Sequence, residues 1–181
     1  MASSPRNRPT PEEPLPDARP LGNRNRAAVY LLILVCALAY FNVLGNGFLN
    51  YDDHNERILK NPFLLTPWSW SHLATAFTQA TAGYYDPVYV LSYVIDHRLW
   101  GWNPAGFHFD NLLLHTANSV LVFFLMLRLR GGYPLALVSS LLFAVHPIHV
   151  ESVAWATSRK DVLSMFFALA SFRVYLQGRS G

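Results

Sequence analysis

Residues 27–44 read AAVYLLILVCALAYFNVL, an 18-residue block that is apolar except for Asn42. A membrane-spanning helix needs about 20 predominantly apolar residues, whereas a signal peptide has a shorter apolar core followed by a small-residue cleavage site. The run therefore predicts a retained first transmembrane helix. The preceding residues, 1–26, are rich in Pro, Arg and Asn and poor in large apolar side chains, which predicts a disordered tail.

Three further apolar blocks, at about 109–129, 135–150 and 161–177, predict three more spans, and residues 178–181 form a short tail. The chain is 52% hydrophobic and 14% charged, whereas an ordinary soluble domain carries about 25% charged residues. These observations predict an all-α, multi-spanning membrane protein with about four transmembrane helices.

The long segment 45–108 between the first two predicted spans is polar except for residues 87–102, PVYVLSYVIDHRLWGW. The apolar part of this stretch is too short to cross a bilayer, and it is interrupted by three consecutive polar residues that begin at Asp96. It ends with Trp100 and Trp102, and tryptophan is enriched at the level of lipid headgroups. The pattern predicts an amphipathic helix that lies at the membrane interface.

The distribution of charge predicts the orientation of the chain. Residues 1–26, 128–134 and 173–181 together carry nine of the 14 Lys and Arg residues but only three of the 11 acidic residues. Because cytoplasmic loops carry an excess of Lys and Arg, both termini are predicted to be cytoplasmic. The loop 45–108 and the link 151–160 then share the outer face.

Composition also argues against several function classes. Cys36 is the single cysteine, so an intrachain disulfide or a cysteine metal cluster is excluded, and a packing role is predicted. The net charge is only +3 and the chain has no recognisable nucleic-acid-binding motif, so no nucleic-acid partner is predicted. No cofactor is predicted either.

Asp52 and Asp53 lie about eight residues after the first predicted span. A carboxylate here could remove a proton from an acceptor hydroxyl, or the pair could hold a metal ion. Alternatively, the pair lies in a solvated loop and caps a helix that begins near Asn55.

The second predicted span carries a stripe of polar side chains in its outer half. The spacing of three, four and three residues places all of them on one helical face, which must avoid lipid because buried polar groups are costly there. The stripe either lines a wet cavity or forms interhelical hydrogen bonds. It comprises His108, Asn111, His115 and Asn118.

Two groups of polar residues surround the third and fourth predicted spans. His146, His149 and Glu151 could ligate a metal, but they do not form the helical zinc signature and Pro147 disturbs their spacing, so hydrogen-bonded structural histidines are favoured. Arg159 and Lys160 could pair with the phosphate of a lipid-linked substrate or with phospholipid headgroups. Ser158 and Asp161 fit a helix capping box.

Several of these segments resemble the membrane domain of transmembrane TPR-repeat proteins, which include the O-mannosyltransferases of animals and their bacterial relatives in the GT-C glycosyltransferase superfamily. The resemblance covers roughly residues 30–177, and its most specific motifs are HPIHVESVAW at 146–155 and SRKD at 158–161. Weaker matches are YDDHNERILKNPFL at 51–64, DPVYVLSYVIDHRLWGWNPAGFH at 86–108 and the second predicted span.

The resemblance implies transfer of a hexose such as mannose from a polyprenyl phosphate to a Ser or Thr hydroxyl of an acceptor protein on the non-cytoplasmic face. It implies that Asp52 or Asp53 is the catalytic base and that Arg159 and Lys160 hold the donor phosphate. His146, His149 and Glu151 match the family pattern without an assigned role. A metal ligand is not implied.

The family has more spans and a carboxy-terminal TPR array, so the chain is interpreted as the amino-terminal part of such an enzyme, with a complementary downstream polypeptide as a candidate partner. The alternative function is a non-catalytic membrane scaffold or assembly subunit. A small transporter is a third interpretation, but the paired broken helices typical of transporters are not evident in the sequence. The motifs favour a bacterial inner membrane over the endoplasmic reticulum.

Overall fold

The computed structural model describes residues 22–50, 53, 57–67, 69–80, 83–129 and 131–179. The predicted all-helical character is confirmed over these residues. Short 3₁₀ turns at Phe41–Gly45 and Ala156–Ser158 supplement the α-helices. The α-helices are α1 (Asn23–Tyr40), α2 (Pro62–Leu65), α3 (Trp70–Thr78), α4 (Pro87–Trp100), α5 (Pro104–Arg128), α6 (Gly132–Val145), α7 (His149–Ala154) and α8 (Arg159–Gly178).

Two of the predicted spans are long and apolar enough to cross a membrane. These are α1 with its following turn, Asn23–Gly45, and α5, with mean hydropathies of 2.4 and 1.4. Helix α6 is apolar, but its 14 residues extend only about 21 Å, less than the roughly 30 Å of a bilayer core. It ends at Val145 because His146 precedes a proline and adopts an extended ψ of 129°. The third and fourth spans stay predictions.

The ends of the helical region differ from the predicted tails. Helix α1 begins at Asn23, one turn before the predicted boundary at residue 27, and α8 continues to Gly178. The remainder of the predicted amino-terminal tail, residues 1–21, lies outside the described residues.

Helix α5 lies at the centre and packs against α1, α6 and α8. Leu32, Cys36 and Tyr40 on one face of α1 are buried in a cluster with Phe123 of α5, which confirms the packing role of the cysteine. Apolar side chains on the other faces of α1 are exposed, as expected of a helix that contacts lipid. These include Tyr30, Ile33, Leu34 and Leu38.

A tight corner joins α4 to α5. Gly101 adopts a positive φ of 61°, a conformation that favours glycine. The side chain of Asn103 then caps α5 by accepting a hydrogen bond from the backbone N–H of Ala105 (3.1 Å), and Pro104 occupies the first helical turn. The corner fixes α4 against the amino-terminal turns of α5.

The predicted amphipathic helix is present as α4, but a charged residue lies on its buried face and apolar residues lie on its exposed face. Tyr89, Tyr93 and Asp96 lie on the buried face, whereas Ile95 and Leu99 are exposed. The Asp96 carboxylate, which interrupts the apolar run in the sequence, therefore points into the protein. Whether the exposed apolar face contacts a membrane interface stays a prediction.

Candidate functional site

The segment between α1 and α2 meets the link before α8 through Asp53. This carboxylate is fully buried, and its two oxygens accept hydrogen bonds from the backbone N–H groups of Leu49 (2.8 Å) and Thr157 (3.1 Å). The contact joins residues 104 positions apart in the sequence. Asp53 thus tightens a turn and ties two segments together, and both carboxylate oxygens have backbone partners.

The neighbouring Asp52 lies outside the described residues, as does Asn55, where the alternative interpretation placed a helix start. Of the two aspartates, the structure therefore describes the surroundings of Asp53 only. Asp53 is buried, so its carboxylate is closed to an incoming hydroxyl in this structure.

Arg159 is 1% exposed and forms the centre of a polar network between α4, α5 and α8. Its guanidinium forms an ion pair with Asp96 and donates to Asn111 Oδ1 (2.7 Å) and to the backbone carbonyl of Phe107 (2.8 Å). It also lies over the ring of Tyr93, 4.8 Å from the centroid. Each guanidinium nitrogen has a protein partner and the side chain is buried, so the geometry favours a structural role for Arg159 over a phosphate contact.

Burial dominates the electrostatics of this network. Removal from water raises the pKa of Asp96 to about 7, although the Arg159 guanidinium acts in the opposite direction. Burial also raises the pKa of Tyr93 well above its ordinary value, and the hydroxyl donates to the carbonyl of Ala156 (2.7 Å). The network holds the link before α8 against α4.

The polar stripe on α5 lies on the buried face of the helix. Its four members are each at most 1% exposed. Asn111 donates to the carbonyl of Trp155 (3.0 Å), Asn118 donates to that of Val162 (2.8 Å), and Nε2 of His115 contacts the carbonyl of Ala144 (3.0 Å). The interhelical hydrogen bonds of one interpretation are therefore present.

Two members of the stripe, His115 and Asn118, also line a cleft of about 350 Å³, so the cavity interpretation applies to the inner half of the stripe. We call this space the α5–α8 cleft. It lies between α5, the end of α6, α7 and the first turns of α8. Its other lining residues are Phe143, Ile148, His149, Glu151, Ser152, Asp161, Val162 and Met165.

Aromatic rings form one wall of the α5–α8 cleft. The ring of Phe143 stacks on His115 with centroids 5.6 Å apart and lies 4.4 Å from His149. His149 is therefore packed between ring faces and the cleft, while His146 is exposed, and its Nδ1 accepts from the backbone N–H of Ile148 (3.2 Å). The two histidines of the His-Pro-Ile-His motif thus have different surroundings.

Asp161 belongs to the cleft rather than to a helix cap, and the predicted capping box is wrong. Ser158 makes no side-chain capping hydrogen bond, because it ends a 3₁₀ turn with ψ near 5° instead of the extended geometry of a cap. Asp161 Oδ2 instead accepts from the hydroxyl of Ser152 at 3.2 Å. Lys160, the other predicted phosphate ligand, is exposed beside it.

The cleft brings together residues that belong to different motifs in the sequence. Glu151 and His149 come from α7, His115 and Asn118 from the stripe, and Asp161 from the predicted cap. Within the described ranges, no group of three or more His, Cys, Asp or Glu side chains has the geometry to hold a metal ion. Asp53 does not line the cleft.

Comparison with known proteins gives matches over most of the chain. The chain is 35% identical over 147 residues to protein O-mannosyl-transferase tmtc2 of Xenopus laevis, which covers 77% of this chain and 17% of the relative. It is 34% identical over 146 residues to TMTC2 of Homo sapiens (76% and 17%) and 30% identical over 172 residues to TMTC3 of Homo sapiens (88% and 18%). The chain is related to the protein O-mannosyl-transferases.

This relationship confirms the resemblance stated from the motifs. The chain spans less than a fifth of the length of these O-mannosyl-transferases. All three relatives come from animals, so the predicted preference for a bacterial membrane gains no support from them. No family model matches the chain, and no solved structure matches it.

Sequence reasoning missed three residues of the site: Ser152 and Asp161 in the cleft, and Asp96 as the counter-ion of Arg159. A signal for Asp96 existed, since a lone acid in an apolar helix requires a partner. No comparable signal in the sequence indicated Ser152, because its contact with Asp161 forms only when α7 packs beside the start of α8 in the folded chain.

Proposed function

We propose that the chain forms part of the membrane domain of a glycosyltransferase that moves a hexose such as mannose from a polyprenyl phosphate to a Ser or Thr hydroxyl of a protein on the non-cytoplasmic face. The observation that carries this proposal is the sequence relationship to several protein O-mannosyl-transferases. The α5–α8 cleft supports it, because carboxylate, hydroxyl, amide and imidazole groups line a space of ligand-binding size.

In the proposed reaction, the acceptor hydroxyl oxygen forms a bond to C1 of the sugar while the bond from C1 to the phosphate oxygen breaks. The phosphate leaves with the bonding electrons, and the hydroxyl proton passes to a carboxylate that acts as a general base. We assign this base to Asp52, since Asp53 is buried and bonded to backbone groups. Configuration at C1 is inverted.

The charge that develops on the leaving phosphate requires nearby cations or hydrogen-bond donors. Of the two predicted ligands, Lys160 is exposed and is retained for this role, whereas Arg159 is buried in its ion pair with Asp96. The proposal requires no metal ion.

A transfer assay tests the proposal. The 181-residue chain is expressed in membranes with labelled polyprenyl-phosphate-mannose and acceptor proteins, beside Asp52→Asn and the matched control Asp110→Asn. Asp110 accepts a hydrogen bond from Trp100 Nε1 (2.9 Å) and also interacts with the Asp96 carboxyl, but it does not line the cleft, so its amide variant should retain transfer. We expect Asp52→Asn to lose most of the label.

The scaffold alternative gives a different result. A correctly inserted wild-type chain that incorporates no label contradicts transfer by this chain alone and favours a non-catalytic role. Label that is retained in Asp52→Asn would leave the transfer activity standing but would contradict the assignment of the base.

A further inference from the structure

We infer that one end of the helical bundle is a docking surface for the headgroups of anionic phospholipids. The surface, which we call the basic end, lies where α1 and α6 begin and where α5 and α8 end. The inference does not depend on glycosyl transfer, because the α5–α8 cleft lies at the opposite end of α8. The basic end carries Arg24, Arg26, Arg128, Arg173 and Arg179.

Side-chain contacts bring these four helix ends together. Tyr133, in the first turn of α6, donates a hydrogen bond to the backbone carbonyl of Arg24 at the start of α1 (3.2 Å). Arg128, the last residue of α5, donates to the backbone carbonyl of Leu176 near the end of α8 (2.9 Å). Helix α5 packs against both α1 and α6, which joins the two pairs. Arginines from distant parts of the sequence therefore share one surface.

Two of the arginines are held through the faces of their guanidinium groups. The Arg24 guanidinium lies over the ring of Tyr133, 4.4 Å from the centroid, and that of Arg173 lies over the ring of Phe124 at 4.8 Å. The N–H groups of a guanidinium lie in its plane, so a stacked arginine can still donate them to phosphate oxygens. Stacking thus orients these cations without neutralising their charge.

Within the described part of the chain, the acidic side chains lie toward the other end of the bundle. Along α5, Asp110 precedes Arg128 by 18 positions, or about 27 Å at the helical rise. Along α8, Asp161 precedes Arg173 by 12 positions, or about 18 Å. Both separations exceed the Debye length of about 8 Å at physiological ionic strength, so these carboxylates do not neutralise the basic end. The described acidic residues are Asp53, Asp86, Asp96, Asp110, Glu151 and Asp161.

The exposed side chains of α1 indicate which surface the basic end meets. Arg26 is exposed, Tyr30 one turn later is 70% exposed, and the exposed residues that follow include Ile33, Leu34 and Leu38. Cations, then a tyrosine, then aliphatic side chains match the order from headgroups to hydrocarbon, because tyrosine is enriched at the membrane–water interface. Helix α1 is long and apolar enough to cross a membrane. When it does, the arginines lie at headgroup depth, where negatively charged lipids attract them.

The test measures lipid selectivity at the surface of the full chain in proteoliposomes. Spin-labelled phosphatidylglycerol and phosphatidylcholine report, by electron paramagnetic resonance, how strongly each lipid is held at the protein. The variant Arg26→Gln/Arg179→Gln removes two exposed cations of the basic end, and Lys60→Gln/Arg98→Gln is the matched control that removes two exposed cations from the other end. We expect wild type and the control to prefer phosphatidylglycerol about fivefold, and the variant to prefer it less than about twofold.

Several outcomes would overturn the inference. Wild type without a preference for phosphatidylglycerol refutes it, and an equal loss in the variant and the control shows that the basic end is not the site. A wild-type preference that added salt does not weaken also refutes it, because attraction between exposed charges is screened; this measurement needs no variant. A lipid preference that persists in Arg26→Gln/Arg179→Gln, while binding of a single-stranded oligonucleotide is lost, would assign the basic end to nucleic acid instead.

Discussion

Replacement of Arg159 by Met should strongly destabilise the protein, because it removes one partner of a buried ion pair and leaves the other in place. In the variant, Asp96 loses its counter-ion, and the acceptors Asn111 Oδ1 and the carbonyl of Phe107 lose their donors. Removing one partner of a buried ion pair costs about 3–5 kcal/mol. We expect a loss of this size in the free energy of unfolding at about pH 8, where Asp96 is ionised.

The assay is denaturant-induced unfolding of the purified chain in micelles, followed by circular dichroism. Lys160→Met is the matched control, since Lys160 is the adjacent exposed cation, and its loss should change the free energy of unfolding by less than about 0.5 kcal/mol. The double variant Asp96→Leu/Arg159→Met removes both charges and should recover much of the loss.

If Arg159→Met alone does not fold, the double variant still tests the reasoning. Restored folding in the double variant would show that the unpaired Asp96 carboxylate causes the loss. Two results would refute the reasoning. One is an Arg159→Met variant as stable as Lys160→Met, and the other is a double variant that recovers none of the stability lost in Arg159→Met.

Three further predictions follow from the same contacts. Because the pKa of Asp96 is raised to about 7, the folded state keeps the Asp96 proton between about pH 4 and 7, whereas the unfolded chain loses it. The free energy of unfolding should therefore fall with rising pH in this range, by up to about 1.4 kcal/mol per pH unit. Asp96→Asn should flatten this slope in thermal unfolding measured as a function of pH. Asp53→Ala should cost about 1–3 kcal/mol, since two backbone N–H groups lose their acceptor, and hydrogen exchange at Thr157 should accelerate; unchanged exchange would contradict the contact. Gly106→Ala should cost about 1–3 kcal/mol, because the added methyl group would lie 2.2 Å from Trp100 Cγ, and normal thermal stability would mean that the corner of α4 and α5 can yield.

Much of the helical architecture was predictable because it depends on local properties of the chain. The apolar runs that became α1 and α5 are long enough to be recognised by length and composition alone. The boundary of α6 was less predictable, since Pro147 ends the helix before the apolar run ends. The spacing of the polar stripe correctly placed four side chains on one buried face of α5.

The candidate site was predictable in its residue types but not in its grouping. The motifs HPIHVESVAW and SRKD located Glu151, His149 and Arg159 within the resembling region, yet they gave no indication that Arg159 pairs with Asp96, 63 positions earlier. Residue type and the family resemblance suggest a chemical role for Asp53, whereas the structure shows that its carboxylate links two distant segments.

By itself, the sequence determined that the chain is helical, that it contains two helices able to span a membrane, and that it is related to the O-mannosyl-transferases. Apolar length, helical spacing and motif order are properties of consecutive residues, so no tertiary contact is needed to read them. Only the tertiary structure decided which charge neutralises Arg159 and which polar groups surround the α5–α8 cleft. Ion pairs and cavities are formed by helices that are distant in the sequence, and their chemistry depends on burial and on which hydrogen bonds are already made.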